Sequence, residues 1–285
     1  MIADSLLNLR DFLHAQMCYQ LFKTPIPYPL GKEYRELARK ACEYLRTERS
    51  EMLEFTAPRH YVIHHFAAAD PQAKKILIAH GWMSRAAYMA RLIRALHQQG
   101  FDVYALDFPA HGEAKGLQLP WMDAVGVIKQ VLNELAPFYA VVGHSFGGSM
   151  VLNALNLAGQ YPEWHIASEP ERVVLMASPT RMRTPVGQLA RYLGLNAKSY
   201  LLVRQFFSQH TQVDLKHLAV RYYNSRTNPC FLCIHGEDDY AIPAQESILF
   251  CEQYPNASLA LLAGINHQNI LMDERVEKMI CRFLS

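Results

Sequence analysis

No stretch of this sequence approaches the length of about 20 apolar residues that a membrane-crossing helix needs, so no span is expected. The first residues lack a cationic start followed by an apolar block, since Asp4 and Arg10 interrupt them, and no secretory signal is expected. Phosphate-cradling fingerprints of the P-loop and dinucleotide kinds are missing, so no cofactor is expected. Cysteine is sparse and scattered, at Cys18, Cys42, Cys230, Cys233, Cys251 and Cys281. The single C-x-x-C, Cys230 to Cys233, lies in an apolar run that reads as a strand, where residues three apart face opposite ways. That favours core packing over redox or metal chemistry. A soluble protein of the reducing cytoplasm follows as the default expectation. Net charge is only +2, which gives no case for nucleic acid as a partner. Repeats, low-complexity tracts and an inter-domain linker are absent as well.

What is there is an alternation. Residues 52–57 and 60–67, separated by Pro58-Arg59, read as a hairpin. Apolar runs follow at 75–80, 101–107, 138–144, 172–177, 230–235 and 258–262, and helical patterns lie between most of them, at 85–98, 121–135, 146–157, 244–253 and 274–284. Strands alternating with helices predict a mostly parallel sheet covered on both faces. Sites in such sheets lie beyond the carboxyl ends of the strands.

Two segments stand outside this rhythm. Residues 2–22 carry Ile2, Leu6, Leu9, Phe12, Leu13, Met17 and Leu21 at helical spacing, and Pro25 to Pro29 then stops the helix. A second helix is expected over 32–50, with Tyr34, Leu37, Ala41, Tyr44 and Leu45 inward. This leader could cover the core, form a homodimer contact or lie on a membrane surface, and packing on its own chain is the plainest of the three. Residues 181–228 hold helical patterns and no convincing strand, with eight Lys or Arg against one acid, Asp214. They read as a basic helical insertion over the strand ends. It is either a solvated helical surface or an attractor of an anionic substrate.

Chemistry concentrates at the strand exits. Val141 to Met150 is an apolar run entering Gly143-His144-Ser145-Phe146-Gly147 and leaving as a helix, the context of a nucleophile elbow with Ser145 at its apex. By composition that pentapeptide arises in about one chain in ten of this length, so its surroundings decide. A serine hydroxyl becomes a nucleophile only when a histidine takes its proton and an acid orients that histidine. Glu237, Asp238 and Asp239 follow the strand at 230–235, and His267 follows the last strand. His80, His111 and His144 read as loop-packing residues. His60, His64 and His65 share a strand with no evident carboxylate or thiolate partner, so no metal site is expected.

These motifs together resemble the α/β-hydrolase fold. Gly236 to Pro243 is similar to the segment that presents the family's acid, and the match puts Asp239 in that place, with Asp238 adjacent. Ile78-Ala79-His80-Gly81-Trp82 is similar to the oxyanion-loop segment, and Asp107 to Gly112 to an Asp-x-Pro-Gly-His-Gly loop in which Ala110 replaces a glycine. The resemblance covers residues 52–285. It implies a core of 52–180 and 229–285, a cap of 181–228 and a helical extension of 1–51. The implied triad is Ser145, His267 and Asp239, with the backbone N–H groups of Trp82 and Phe146 holding the oxyanion. The expected activity is cleavage of the carboxylic ester of a small acyl substrate. Thioester or carbon–carbon hydrolysis, and ligand binding with little turnover, remain alternatives. Trp82, Tyr88, Trp121, Met182, Leu189, Phe206 and Phe207 are candidates to line the pocket.

Overall fold

The computed structural model describes residues 2–26, 31–211, 223 and 225–285. Two helices, α1 (Ile2–Lys23) and α2 (Lys32–Glu48), precede the strands β1 (Glu51–Phe55), β2 (Tyr61–Phe66), β3 (Lys75–Ala79) and β4 (Asp102–Asp107). Between β3 and β4 lie a 3-10 turn, Ala86–Met89, and α3 (Ala90–Gln98). There follow α4 (Trp121–Glu134), β5 (Ala140–His144), α5 (Phe146–Gln160) and β6 (Arg172–Met176). The chain then forms α6 (Arg183–Tyr192), α7 (Ala197–Thr211), β7 (Cys230–Gly236), α8 (Gln245–Gln253), β8 (Ala257–Leu262) and α9 (Glu274–Leu284).

Among the described residues there is one sheet of eight strands, ordered β1-β2-β4-β3-β5-β6-β7-β8. The hairpin pairs antiparallel with β4 and every later pairing is parallel. The central strands read Lys-Ile-Leu-Ile-Ala, Ala-Val-Val-Gly-His and Arg-Val-Val-Leu-Met because both of their faces are covered. Leu77, Val141, Val173 and Phe231 face one core with α4 and α5. Ile76, Ile78, Val142, Val174 and Ile234 face the other, closed by α3 and α9. The edge strand β8 leaves Leu259 and Leu261 partly open to solvent.

The leader divides between two partners. Helix α2 packs on the core through Leu45 and through Tyr44, stacked on Phe66 with ring centroids 5.9 Å apart. Its Arg46, and Arg49 just beyond its end, both reach Glu113, at 2.9 Å each. Tyr34 and Leu37, expected inward, are exposed. Helix α1 instead lies against α7: Tyr19 and Phe22 meet Phe207 edge-on at 5.1 and 5.0 Å, and Phe12 meets Phe206 at 5.6 Å. Asp11, buried between the two helices, accepts hydrogen bonds from Asn196 and Ser199. The stripe expected to be buried, Leu9, Phe12, Leu13 and Met17, is the exposed one, while Ala15, Cys18 and Tyr19 are buried. Small and aromatic residues allow the close approach to α7, and the long aliphatics are left outside. The side chains of Ile2 and Leu6, and residues Pro27, Tyr28 and Pro29, lie outside the described residues, as do Asp214, Lys216 and Arg221 of the insertion.

The segment that follows β6 is tied down at its start. Glu246, fully buried in the first turn of α8, accepts from the hydroxyls of Thr180 (2.7 Å) and Thr184 (2.6 Å) and from both Nε (3.0 Å) and Nη2 (2.7 Å) of Arg181. Burial works against its charge, but these donors hold its carboxyl below the ordinary range. Helix α6 then reaches the loop after β7, where Gln188 donates to the Ala241 carbonyl at 2.7 Å.

The β3, β5 and α5 backbones approach so closely that a side chain at Gly147 has no room: an added Cβ would stand 2.4 Å from the Ala79 carbonyl oxygen. Gly147→Ala is therefore expected to cost about 3 kcal/mol of stability, read by urea or thermal unfolding. A variant as stable as the wild type would contradict this packing.

Candidate active site

The site begins with a turn that the backbone barely permits. Ser145 follows β5 directly, with φ 51° and ψ −118°, a conformation that L side chains seldom adopt. It is held there by its own N–H, which donates to the Met176 carbonyl at 2.8 Å, and by crossing backbones. A Cβ on Gly143 would lie 2.3 Å from Gly148 Cα. Strain at the apex lifts the hydroxyl toward the carboxyl ends of the strands.

Two other strand exits converge on it. His267, in the loop after β8, meets Ser145 Oγ through Nε2 at 2.8 Å and Asp239 Oδ2 through Nδ1 at 2.7 Å. With Nδ1–H donating to the carboxylate, Nε2 is free to accept the serine proton. Asp239 is buried, and its other oxygen accepts from the backbone N–H groups of Ala241 (2.9 Å) and Ile242 (2.8 Å). Burial alone would raise this carboxyl, but His235, His267 and the Ile242 N–H hold it well below the usual carboxylate range. Adjacent Asp238 is exposed.

His235 went unremarked in the sequence. Its Nε2–H donates to the Ile242 carbonyl at 3.0 Å and stands 3.5 Å from Asp239 Oδ2, while Nδ1 accepts from the Ser247 hydroxyl at 2.7 Å. It thus fixes the curl of the acid's loop. The strand residue before a loop acid is the available sequence signal, but buried strand histidines have many other uses.

On the other side of Ser145 runs the Gly81-Trp82 backbone. A Cβ on Gly81 would come within 3.2 Å of Ser145 Cβ, so the chain passes against this serine. Among the described residues neither the Trp82 nor the Phe146 N–H donates to another backbone group, and the two rings pack at 5.1 Å. Helix α5 starts at Phe146 and adds the positive end of its dipole.

The Gly81 loop hangs from Asp107. This carboxylate, only 1% exposed, accepts from Ala86 N–H (2.7 Å), Glu113 N–H (2.8 Å) and His64 Nε2 (3.0 Å). The structure here corrects the expectation that the strand histidines lack carboxylate partners: His64 meets Asp107, and His65 sits between Glu51 and Asp102 at 2.8 Å from each. Partners this distant in sequence are brought together by strand register. His111 accepts from the Met83 N–H at 3.2 Å, next to Trp82. Ala110, standing where the resembled motif has glycine, takes φ 63° and carries the strain a glycine would avoid. Among the described residues no group of His, Cys, Asp and Glu is arranged to hold a metal ion.

Trp82 packs on Phe146 next to Ser145, while Met182 is buried in the core with its Sδ 3.2 Å from the Ser149 hydroxyl on α5. Phe206 and Phe207 pack against α1, and Tyr88 belongs to the opposite core.

A mostly parallel sheet with a serine turn after β5, an aspartate in the loop after β7 and a histidine in the loop after β8 is the architecture of α/β hydrolases. The family model described as the alpha/beta hydrolase family matches residues 76–250, and the chain belongs to that family. Solved structures agree on the fold. The Est2 esterase of the planctomycete Thermogutta terrifontis, with butyrate bound, is 15% identical, with TM-score 0.61 over 84% of this chain and 94% of that one. The Pf2001 esterase of Pyrococcus furiosus is 21% identical, with TM-score 0.59 over 85% and 94%. Mouse alpha/beta hydrolase domain-containing protein 10 is 13% identical, with TM-score 0.61 over 82% and 97%. No curated protein matches the chain in sequence.

His144 lies beneath this arrangement, its ring 5.1 Å from that of His267 and its Nε2–H donating to the His267 carbonyl at 3.1 Å. Burial, then the neighbouring charge of His267, push its pKa down to about 3. An unfolded histidine titrates near 6.5, so the unfolded chain binds the extra proton first and stability falls as pH drops from about 6.5 toward 3. His144→Asn, which keeps a donor but not the titration, should be spared this. Between pH 7 and 5 the wild type should lose about 2 kcal/mol more than the variant in urea unfolding. Parallel pH profiles would contradict a buried neutral His144.

Proposed function

We propose that the protein is a serine hydrolase that cleaves a small carboxylic ester through an acyl-enzyme. The observation that carries this reading is the continuous relay from Ser145 Oγ through His267 to Asp239, at 2.8 and 2.7 Å. Ser145 Oγ attacks the ester carbonyl while its proton passes to His267 Nε2. Asp239, kept ionised by its donors, orients the imidazole and stabilises its positive charge. The tetrahedral oxyanion is held by the Trp82 and Phe146 N–H groups, each such donor contributing about 3 kcal/mol in the transition state. Collapse expels the alkoxide, which takes the proton from His267. Water then repeats the sequence on the acyl-serine, releasing the acid and restoring Ser145.

In this reading residues 52–180 and 229–285 carry the chemistry, 181–228 cap the acyl group and 1–51 form the extension. The cap's described charge supports no anionic acyl group beneath it: Arg181 is engaged by Glu246, and Arg183, Arg191, Lys198 and Arg204 are exposed. All six cysteines are free thiols, which supports a reducing compartment such as the cytoplasm. Among the described residues no helix is long and apolar enough to cross a membrane.

A fluorophosphonate probe should label the wild type at Ser145, and p-nitrophenyl esters of short acids should be turned over. Ser145→Ala and His267→Ala should each lower kcat by about 10^5-fold or more, and Asp239→Asn by about 10^4-fold. Absence of labelling in folded wild type would overturn the hydrolase reading in favour of a ligand-binding protein. Faster turnover of matched thioesters would move the substrate class.

A further inference from the structure

Among the described residues, the outer surface of α1, α6 and α7 combines a stripe of long apolar side chains with cations and no exposed acid. On α1, Leu9, Leu13 and Met17 follow at four-residue spacing and are 53%, 54% and 45% exposed, with Phe12 beside them at 45%. The opposite side of the same helix, Ala15, Cys18 and Tyr19, is buried. A helix apolar on both sides has more to bury than α7 covers. Helix α7 adds Leu201, 54% exposed, and α6 ends in Tyr192, 87% exposed.

Exposed charge on the described residues of these helices has one sign. Arg10, Arg183, Arg191, Lys198 and Arg204 are exposed. Asp11 is the sole carboxylate among the described side chains of α1, α6 and α7, and it is buried. Helix α2 shows the ordinary alternative: its exposed Arg39 is paired with Glu36 and Glu43 at 2.8 and 3.0 Å.

We propose that the α1–cap layer is a peripheral docking surface for bilayers carrying anionic phospholipid headgroups. Leu9, Phe12, Leu13 and Met17 enter the boundary between headgroups and acyl chains with α1 in the membrane plane, and the surrounding arginines and lysine meet lipid phosphates. The charge selects this occupant over a second copy of the chain. A two-fold contact would set these cations against one another with no exposed acid among the described side chains of these helices to answer them. Because α6 reaches the loop of Asp239 through Gln188, the surface facing the bilayer belongs to the layer over the strand ends.

Vesicle flotation of the full chain tests this. The wild type should float with phosphatidylcholine vesicles containing phosphatidylglycerol, bind phosphatidylcholine alone at least about tenfold more weakly, and be released by high salt. Leu13→Glu/Met17→Glu should reduce flotation about tenfold or more while circular dichroism and thermal unfolding stay those of the wild type. If that variant fails to fold, Arg191→Glu/Lys198→Glu, at two exposed polar positions, takes its place with the same expected loss. Failure of the wild type to float, equal binding to neutral vesicles, or undiminished binding by folded variants would overturn the proposal. So would light scattering that shows a dimer dissociated by Leu13→Glu in a protein that does not float. None of these readouts depends on ester hydrolysis.

Discussion

The structure depends on one steric constraint, the crossing of β5 and α5 against the end of β3. Three glycines make it possible, at 143, 147 and 148, each with backbone or a buried hydroxyl where a Cβ would be. The crossing forces Ser145 into positive φ and fixes where the helix dipole points. It also brings Gly81-Trp82 against the serine, so the proposed nucleophile and the proposed oxyanion donors are set by the same contact. A change that relaxed the crossing would lose both together.

Around that contact the protein repeats one electrostatic device. Asp107 and Asp239 are both buried, and in both cases desolvation is outweighed by donors from histidine and backbone N–H groups. Asp107 organises the loop before α3 on one side of the serine, and Asp239 organises His267 on the other. Glu246 does the same for the start of the segment after β6. Each buried charge is worth its desolvation only because it gathers several chain segments at one point.

Most of the sheet was legible because its central strands are buried on both faces and therefore unbroken in hydrophobicity, as in β3, β5 and β6. Their exits could be searched for chemistry, and Ser145, Asp239 and His267 meet at hydrogen-bond distance. What local pattern could not reveal were pairings set by register or docking. His64 finds Asp107 across 43 residues, and Glu246 finds Arg181 across 65. The α1 stripe misled for a related reason. Periodicity identifies an apolar face, but here a second, less hydrophobic face made the tighter fit.

The docking of α1 on α7 also orders events in time. Asp11 and Asn196 are 185 residues apart, yet the inner face of the first helix is covered only when they meet. At ribosomal rates of about 5–20 residues per second, α1 waits on the order of 10–40 s for its partner to be synthesised. During that interval both of its apolar sides are open, and Ala15, Cys18, Tyr19 and Phe22 must be shielded by something other than this fold. The nascent chain, rather than the finished enzyme, is where this protein is most exposed to misassembly.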